Sequence, residues 1–298
     1  MKYNPQNQKF LLTLRGFSIL TSMSYIKNNI HLYNQDVYEG LASLQSDTFD
    51  LIIVDPPYGA STKKNWSYGD KEKLKGFGGD WKLTSEVWDL LSQNDSFLGT
   101  YNWLKELKRV VKKDGSIWIH STYHNSGFVN VCCQLLSLEI INEVVWYKRN
   151  SFPNLSGRRL TASHETILWV HKGGENHRKY HFNYEDVKAF SSHSDNLKER
   201  GKQMRTIWDI PNNKSKDELK FGTHPTQKPL RVTERILLCA GVKGGKLLVP
   251  FAGSGTELIA GYNYGMDVYG YEIEKEYFNL AKQRLEDNIT NIQSSLTL

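Results

Sequence analysis

Phe49-Asp50-Leu51-Ile52-Ile53-Val54 is a short apolar run that stops abruptly at Asp55-Pro56-Pro57-Tyr58. A run this short, rich in β-branched residues and closed by two residues without a backbone N–H, reads as a strand buried on both faces of a sheet. Similar runs recur at 116–120, about 140–146, 165–171, 246–249 and 267–271. Helical patterns stand between several of them. One ends over 103–111 with Asp114-Gly115 as its stop, one spans about 230–239, one opens near Gly255, and one covers about 275–287 before a polar tail after Asn288. Strands alternating with helices predict an α/β fold, a mostly parallel twisted sheet with helices on both faces.

The 298 residues, 39% hydrophobic and 23% charged, suffice for one large core and exclude a disordered or fibrous chain. No apolar stretch reaches the roughly 18 residues of a membrane span, and the first ten residues lack the apolar core of a secretion signal. A cytoplasmic protein is therefore expected. Cys132, Cys133 and Cys239 lack the spacing of a zinc site or disulfide framework, so all three are expected to be buried and no metal is expected. Charge is regional: residues 148–231 carry 17 Lys+Arg against 9 Asp+Glu, a net of +8, and the remainder is −2. One basic segment on a near-neutral scaffold suits a polyanion such as DNA.

Two loops carry chemistry. In an open parallel sheet, ligands bind beyond the carboxyl ends of the strands, where Asp55-Pro56-Pro57-Tyr58 must lie. The prolines fix the backbone, so the Asp55 carboxylate and the Pro56 carbonyl can converge on the two N–H donors of an exocyclic amine, with Tyr58 as a stacking face for its ring. The second loop, Val249-Pro250-Phe251-Ala252-Gly253-Ser254-Gly255-Thr256, joins a strand to a helix, and its glycines allow close approach of a ligand to the backbone. Gly-x-Gly alone is a weak signal; Glu272, at the end of the next strand, adds a carboxylate able to accept both hydroxyls of a ribose. Gly244-Gly245-Lys246 lacks the spacing of a phosphate-binding loop. His177 and His181 have no glutamate between them, which disfavours a zinc protease, and no Pro-Cys pair is present for covalent attack on a pyrimidine ring.

In this order the two loops resemble the permuted β group of DNA amino-methyltransferases. The likeness runs from about Asn34 to about Leu285, through Gly79-Asp80-Trp81, Trp146-Tyr147-Lys148-Arg149-Asn150, Pro153-Asn154-Leu155, Arg159, His164-Glu165-Thr166, Phe182-Asn183-Tyr184, Lys202-Gln203-Met204 and His224-Pro225-Thr226-Gln227-Lys228-Pro229. It implies a Rossmann-like methyltransferase fold with circularly permuted motifs. A catalytic half at 1–147, a basic target-recognition region at 148–222 that includes two strands or loops of the core, and a cofactor-binding half at 223–298 follow from it. The donor implied is S-adenosyl-L-methionine, held by Asp36, Asp55, His224, Thr226, Lys228, Phe251, Gly253, Ser254, Gly255, Thr256 and Glu272. The catalytic residues implied are Asp55, Pro56, Pro57 and Tyr58. Double-stranded DNA is expected to meet Lys148, Arg149, Asn150, Arg158, Arg159, Lys198, Arg200, Lys202 and Arg205, with Trp81 or Phe152 as a second ring for the flipped base. The 150–165 block and the Asn-Tyr and Lys-Gln-Met segments look most like adenine-N6 members. Similar enzymes are often homodimers and have a companion restriction nuclease in a bacterial or phage setting.

The chain departs from the family at two positions. Val249 stands where an Asp is usual, and Glu257 where a second Thr is common. Loss of a carboxylate at Val249 predicts weakened donor binding. Besides cytosine-N4 transfer, it leaves open a catalytically impaired DNA-binding protein; RNA or a protein amide is a more distant acceptor.

Overall fold

The computed structural model of the protein describes residues 23–58, 93–151, 158–190 and 201–296. Its strands are β1 (Ser24–Lys27), β2 (Ile30–Tyr33), β3 (Phe49–Val54), β4 (Val111–Ser121), β5 (Glu139–Tyr147), β6 (His164–His171), β7 (Ile207–Asp209), β8 (Lys246–Val249) and β9 (Asp267–Tyr271). The helices are α1 (Val37–Ser43), α2 (Gln93–Val110), α3 (Ser126–Leu135), α4 (Tyr184–Ala189), α5 (Leu230–Ala240), α6 (Thr256–Tyr264) and α7 (Lys275–Leu296).

One nine-stranded sheet has the order β1-β2-β9-β8-β3-β4-β6-β5-β7. Its centre, β2-β9-β8-β3-β4, is parallel throughout. The antiparallel pairs are β1 with β2, β4 with β6, and β5 with β6. The mostly parallel α/β sheet expected from the sequence is the one observed. From Leu51 onward, alternation along β3 divides the core between the two faces of the sheet, as the period-2 geometry of a strand requires, while the register shift between Phe49 and Leu51 puts Phe49 with the even-numbered residues. Leu51 and Ile53 join Leu247, Ile236 and Phe278 in one buried cluster. Phe49, Ile52 and Val54 join Trp103, Leu107 and Val129 in the other. All three cysteines are buried, and burial pushes the thiols of Cys132, Cys133 and Cys239 up to about 11, 12 and 12, so they pack as small apolar groups.

Three details differ from expectation. Asp114-Gly115 does not stop α2, which ends at Val110; the pair lies inside β4. Gly115 is there because the strands crowd: a Cβ on it would sit 2.7 Å from the Asp50 carbonyl oxygen, beside a register shift in the β3–β4 ladder. The turn-like dipeptide thus marks a strand irregularity. Helix α7 continues past Asn288 into the expected polar tail, with Ile289 buried against the core. Finally, β7 arises from within the basic region and pairs in parallel with β5. The prediction is that Gly115→Ala, overpacking this crossing, lowers unfolding stability by about 1–3 kcal/mol; calorimetry showing an unchanged Tm would contradict the close approach.

Candidate active site

Strands β3, β8 and β9 end on the same edge, and the loops that follow them meet there. The Asp55 loop, the Phe251-to-Ser254 loop, Glu272 and the segment His224 to Lys228 line one cavity of about 380 Å³. Asp36, capping α1 by accepting from the Tyr38 backbone N–H (2.9 Å), closes one end.

At the β3 end, the Lys228 ammonium donates to both Asp55 oxygens, 2.9 Å to Oδ1 and 2.7 Å to Oδ2. It also donates to the Tyr58 hydroxyl (2.7 Å), which in turn donates to Asp55 Oδ1. On its other side lies Glu165 of β6, with Oε2 3.7 Å away and Oε1 accepting from Lys148 at 2.8 Å. Lys228 is 3% exposed. Burial alone would raise Asp55, but Lys228, through its charge and its hydrogen bonds, and the Tyr58 hydroxyl outweigh it and hold the carboxyl below its ordinary range. Glu165 is lowered in the same way, against burial, by Lys228 and Lys148. Burial would lower Lys228, and the two carboxylates raise it instead. Burial, then the neighbouring Asp55 and Glu165 carboxylates, push the Tyr58 phenol well up. His120 of β4 has both ring nitrogens buried and without a hydrogen-bond partner among the described residues, and burial holds it down at about 4, so it is neutral. The result is an ionised Asp55 oriented by a buried cation.

The second loop is shaped by its glycines. Gly253 and Gly255 have φ of +49° and +77°, in the left-handed region that side chains disfavour. A Cβ on Gly255 would approach that of Ala281 in α7 to 3.0 Å. Arg284 of α7 fastens the loop by donating to the Ser254 carbonyl (2.5 Å) and Thr256 Oγ1 (3.1 Å). Glu272 accepts from the backbone N–H of Gly253 and of Glu274, each at 2.8 Å. Burial raises its carboxyl to about 7, against the pull of those N–H groups. His224, neutral because burial holds it at about 4, packs edge-on to Tyr277 at 4.2 Å and meets Thr226 Oγ1 at 3.2 Å. A glycine cradle with a carboxylate beside it and no phosphate-binding lysine in the loop fits S-adenosylmethionine.

A model of the DNA methylase family matches residues 49–283. The type II methyltransferase M2.DpnII of Streptococcus pneumoniae is 34% identical over 93% of this chain and 97% of its own length. The chain belongs to the DNA methylase family. M.HinfI, a type II methyltransferase of Haemophilus influenzae, is 31% identical over 85% of the chain and 67% of its own length. Among solved structures, an M1.HpyAVI complex with the donor aligns at TM-score 0.58, with 24% identity over 86% of this chain and 98% of that one. The cytosine-N4-specific PvuII methyltransferase aligns at 0.65, with 16% identity over 90% and 94%. These two likenesses concern the fold.

In this methylase Asp36, Asp55, Pro56, Pro57, Tyr58, His224, Thr226, Lys228, Phe251, Gly253, Ser254 and Glu272 all border the cavity. Gly255 and Thr256 stand just behind, at the N-terminus of α6. Lys228, expected beside the donor, makes its strongest contacts with Asp55. The residues expected to meet DNA divide. Lys148 turns inward onto Glu165, Arg149 makes paired bonds with Asp209 (2.8 and 2.6 Å), and the Asn150 side chain accepts from the Asn212 backbone. Arg158, Arg159, Lys202 and Arg205 are exposed, as Arg149 and Asn150 also are, with Arg159 donating to the Tyr123 hydroxyl. Lys198, Arg200, Trp81, Phe152, Gly79-Asp80 and Pro153-Asn154-Leu155 lie outside the described residues. Sequence reasoning overlooked His120 and Trp103, which sit in an apolar strand and an amphipathic helix and look like core there.

Lys228→Met should cost about 3–5 kcal/mol, because it strands two carboxylates in a buried site. In the wild type, Asp55 and Glu165 lie below their ordinary range, so their stabilisation is present above that range and is lost as pH falls through their folded values. Without the ammonium, burial dominates and both rise. The variant's stability deficit should therefore be largest at neutral pH and shrink as pH falls and the two carboxyls take up protons, as followed by its Tm difference from wild type in circular dichroism; a deficit that does not shrink on acidification would refute the coupling.

Proposed function

We propose that this methylase transfers a methyl group from S-adenosylmethionine to the N6 amino group of an adenine flipped out of double-stranded DNA. The observation that carries this reading is that the ionised Asp55, backed by Lys228 and Tyr58, opens onto the same cavity as the Gly253 loop and Glu272. The bound donor supplies an electrophilic methyl on a sulfonium sulfur. On the acceptor side, Asp55 and the Pro56 carbonyl receive the two amino N–H groups and aim the nitrogen lone pair. A carboxylate offers about four acceptor positions, and Lys228 and Tyr58 occupy three, two of them on Oδ1. Oδ2 thus has room for the amine. Asp55 also offsets the positive charge that grows on nitrogen as the N–C bond forms and the C–S bond breaks. The surplus proton passes through Asp55 to water, for which a weak base suffices, because a methylated aryl-ammonium is a far stronger acid than a carboxyl group.

The target amine reaches this depth only if the base leaves the helix, at a cost of a few kcal/mol that stacking on Tyr58 partly offsets. In this reading Arg158, Arg159, Lys202 and Arg205, with Lys198 and Arg200, hold phosphates and read base edges. Lys148 instead supports the site through Glu165, whereas the exposed Arg149 and Asn150 stay with the DNA-facing set. Region 148–222 is the recognition element between the halves 1–147 and 223–298. Adenine is favoured over cytosine by the likeness of the 150–165, Asn183-Tyr184 and Lys202-Gln203-Met204 segments to adenine-N6 members. The fold shared with the cytosine-N4-specific PvuII enzyme keeps N4 transfer as the second reading. The proposal extends to a companion nuclease, in line with the type II relatives, and to a homodimer in a bacterial cytoplasmic setting, as the family resemblance implies. Among the described residues, no helix is long and apolar enough to cross a membrane.

Mass spectrometry of nucleosides from treated DNA should find N6-methyladenine; N4-methylcytosine in its place would select the second reading. Asp55→Ala should lower kcat by about 10²–10³-fold or more while calorimetry still detects the donor, and near-normal turnover would remove Asp55 from the mechanism.

A further inference from the structure

Val249, which replaces the family's usual aspartate, is fully buried in the apolar core and is not among the residues that line the cavity. The sheet has absorbed that position. Eight positions further on, Glu257 shows the opposite behaviour. It is the second residue of α6, where a threonine is usual, and it lines the cavity at 4% exposure. Its Oε1 is buried with no hydrogen-bond partner among the described residues. Among the described residues no cation forms an ion pair with it within 4.0 Å: Lys228 is engaged with Asp55 and Tyr58, and Nη1 of Arg284 with Ser254 and Thr256. Burial first, and the Asp55 charge second, raise its carboxyl to about 7, against its own backbone N–H, Lys228 and Arg284. A buried, unpaired carboxyl inside a ligand cavity is a costly arrangement that a cationic ligand would relieve. The apolar ring of the cavity wall, including Phe251 against Trp103 at 6.1 Å, gives such a pairing a low-dielectric setting.

We propose that Glu257 supplies the carboxylate that Val249 lacks, and that it binds the positive charge on the methionyl end of the donor. This rests on the cavity being the donor site. Two groups of the donor carry such a charge, the α-ammonium and the sulfonium, and two analogues separate them. S-adenosylhomocysteine keeps the ammonium and has lost the sulfonium; 5′-methylthioadenosine has neither.

Titration calorimetry on the full chain tests it. Glu257→Gln, close to isosteric, should weaken S-adenosylmethionine binding by about 10-fold or more and leave methylthioadenosine binding unchanged. An equal loss for S-adenosylhomocysteine assigns the ammonium, and a loss confined to S-adenosylmethionine assigns the sulfonium. Glu257→Asp, which keeps the charge, should retain more affinity than Glu257→Gln. A structural role would lower the Tm of the ligand-free protein. The proposal instead expects that Tm to be equal or higher in Glu257→Gln, with a smaller rise on adding S-adenosylmethionine. Wild-type affinity for S-adenosylmethionine in Glu257→Gln, or equal losses for all three ligands, overturns the role of Glu257. Failure of the wild-type protein to bind S-adenosylmethionine at millimolar concentration overturns the donor site itself.

Discussion

A single buried ammonium joins the parts of this site. Lys228, from the segment before α5, reaches under the end of β3 to Asp55 and lies between it and Glu165 of β6. An isolated charge at that depth would cost several kcal/mol, as would either carboxylate alone. Together, with Lys148 behind Glu165, the four groups balance in formal charge, and Asp55, Glu165 and Lys228 each favour the ionised form. The segment carrying Lys228 must then sit across the mouth of β3, because the ion cluster is satisfied only there. The catalytic loop and the donor-side wall are thereby registered to one another by electrostatics as well as by the sheet, which already places β3 beside β8.

The same cluster explains how an aspartate can face an apolar cavity and still be charged. Desolvation is the largest influence on Asp55 and opposes ionisation. Lys228 reverses it. Glu257 and Glu272, in the same cavity but without a lysine, follow the desolvation and rise to about 7. Besides Asp36 at its rim, the cavity therefore holds Asp55, ionised by a partner on the protein, and two carboxyls that keep their proton up to about neutral pH. That division suits a site where the acceptor amine needs a fixed anion, whereas the donor brings its own positive charge.

Much of the fold was legible because the local signals agreed with the global arrangement. The β3 run, stopped by two prolines, had one reading, and the glycines at 253 and 255 with the carboxylate at 272 marked the second loop. Where the sequence misled, a short-range cue had a long-range cause. Asp114-Gly115 has the look of a helix stop, yet Gly115 answers to the Asp50 carbonyl across the sheet. Lys148 counts as basic surface in a charge tally but turns inward onto Glu165, and that partner, like Asp209 beside the exposed Arg149, is distant in sequence and unpredictable from it. His120 was hidden because one polar residue in an apolar strand resembles an ordinary core position.

The treatment of Val249 shows why a motif departure needs a three-dimensional reading. As a string, the loop has lost an acid, which argues for weaker donor binding. In the folded chain Val249 belongs to the apolar cluster with Leu247 and Ile53, and a valine there extends a continuous core that a carboxylate would interrupt. The second departure, Glu257, puts an acid at the start of α6, where the helix N-terminus favours negative charge and where its Oε1 is unpartnered. Two substitutions that look like separate losses thus conserve the number of acidic side chains between β8 and α6 and move one of them from strand to helix. On this geometry Val249 alone is no reason to regard the site as inactive.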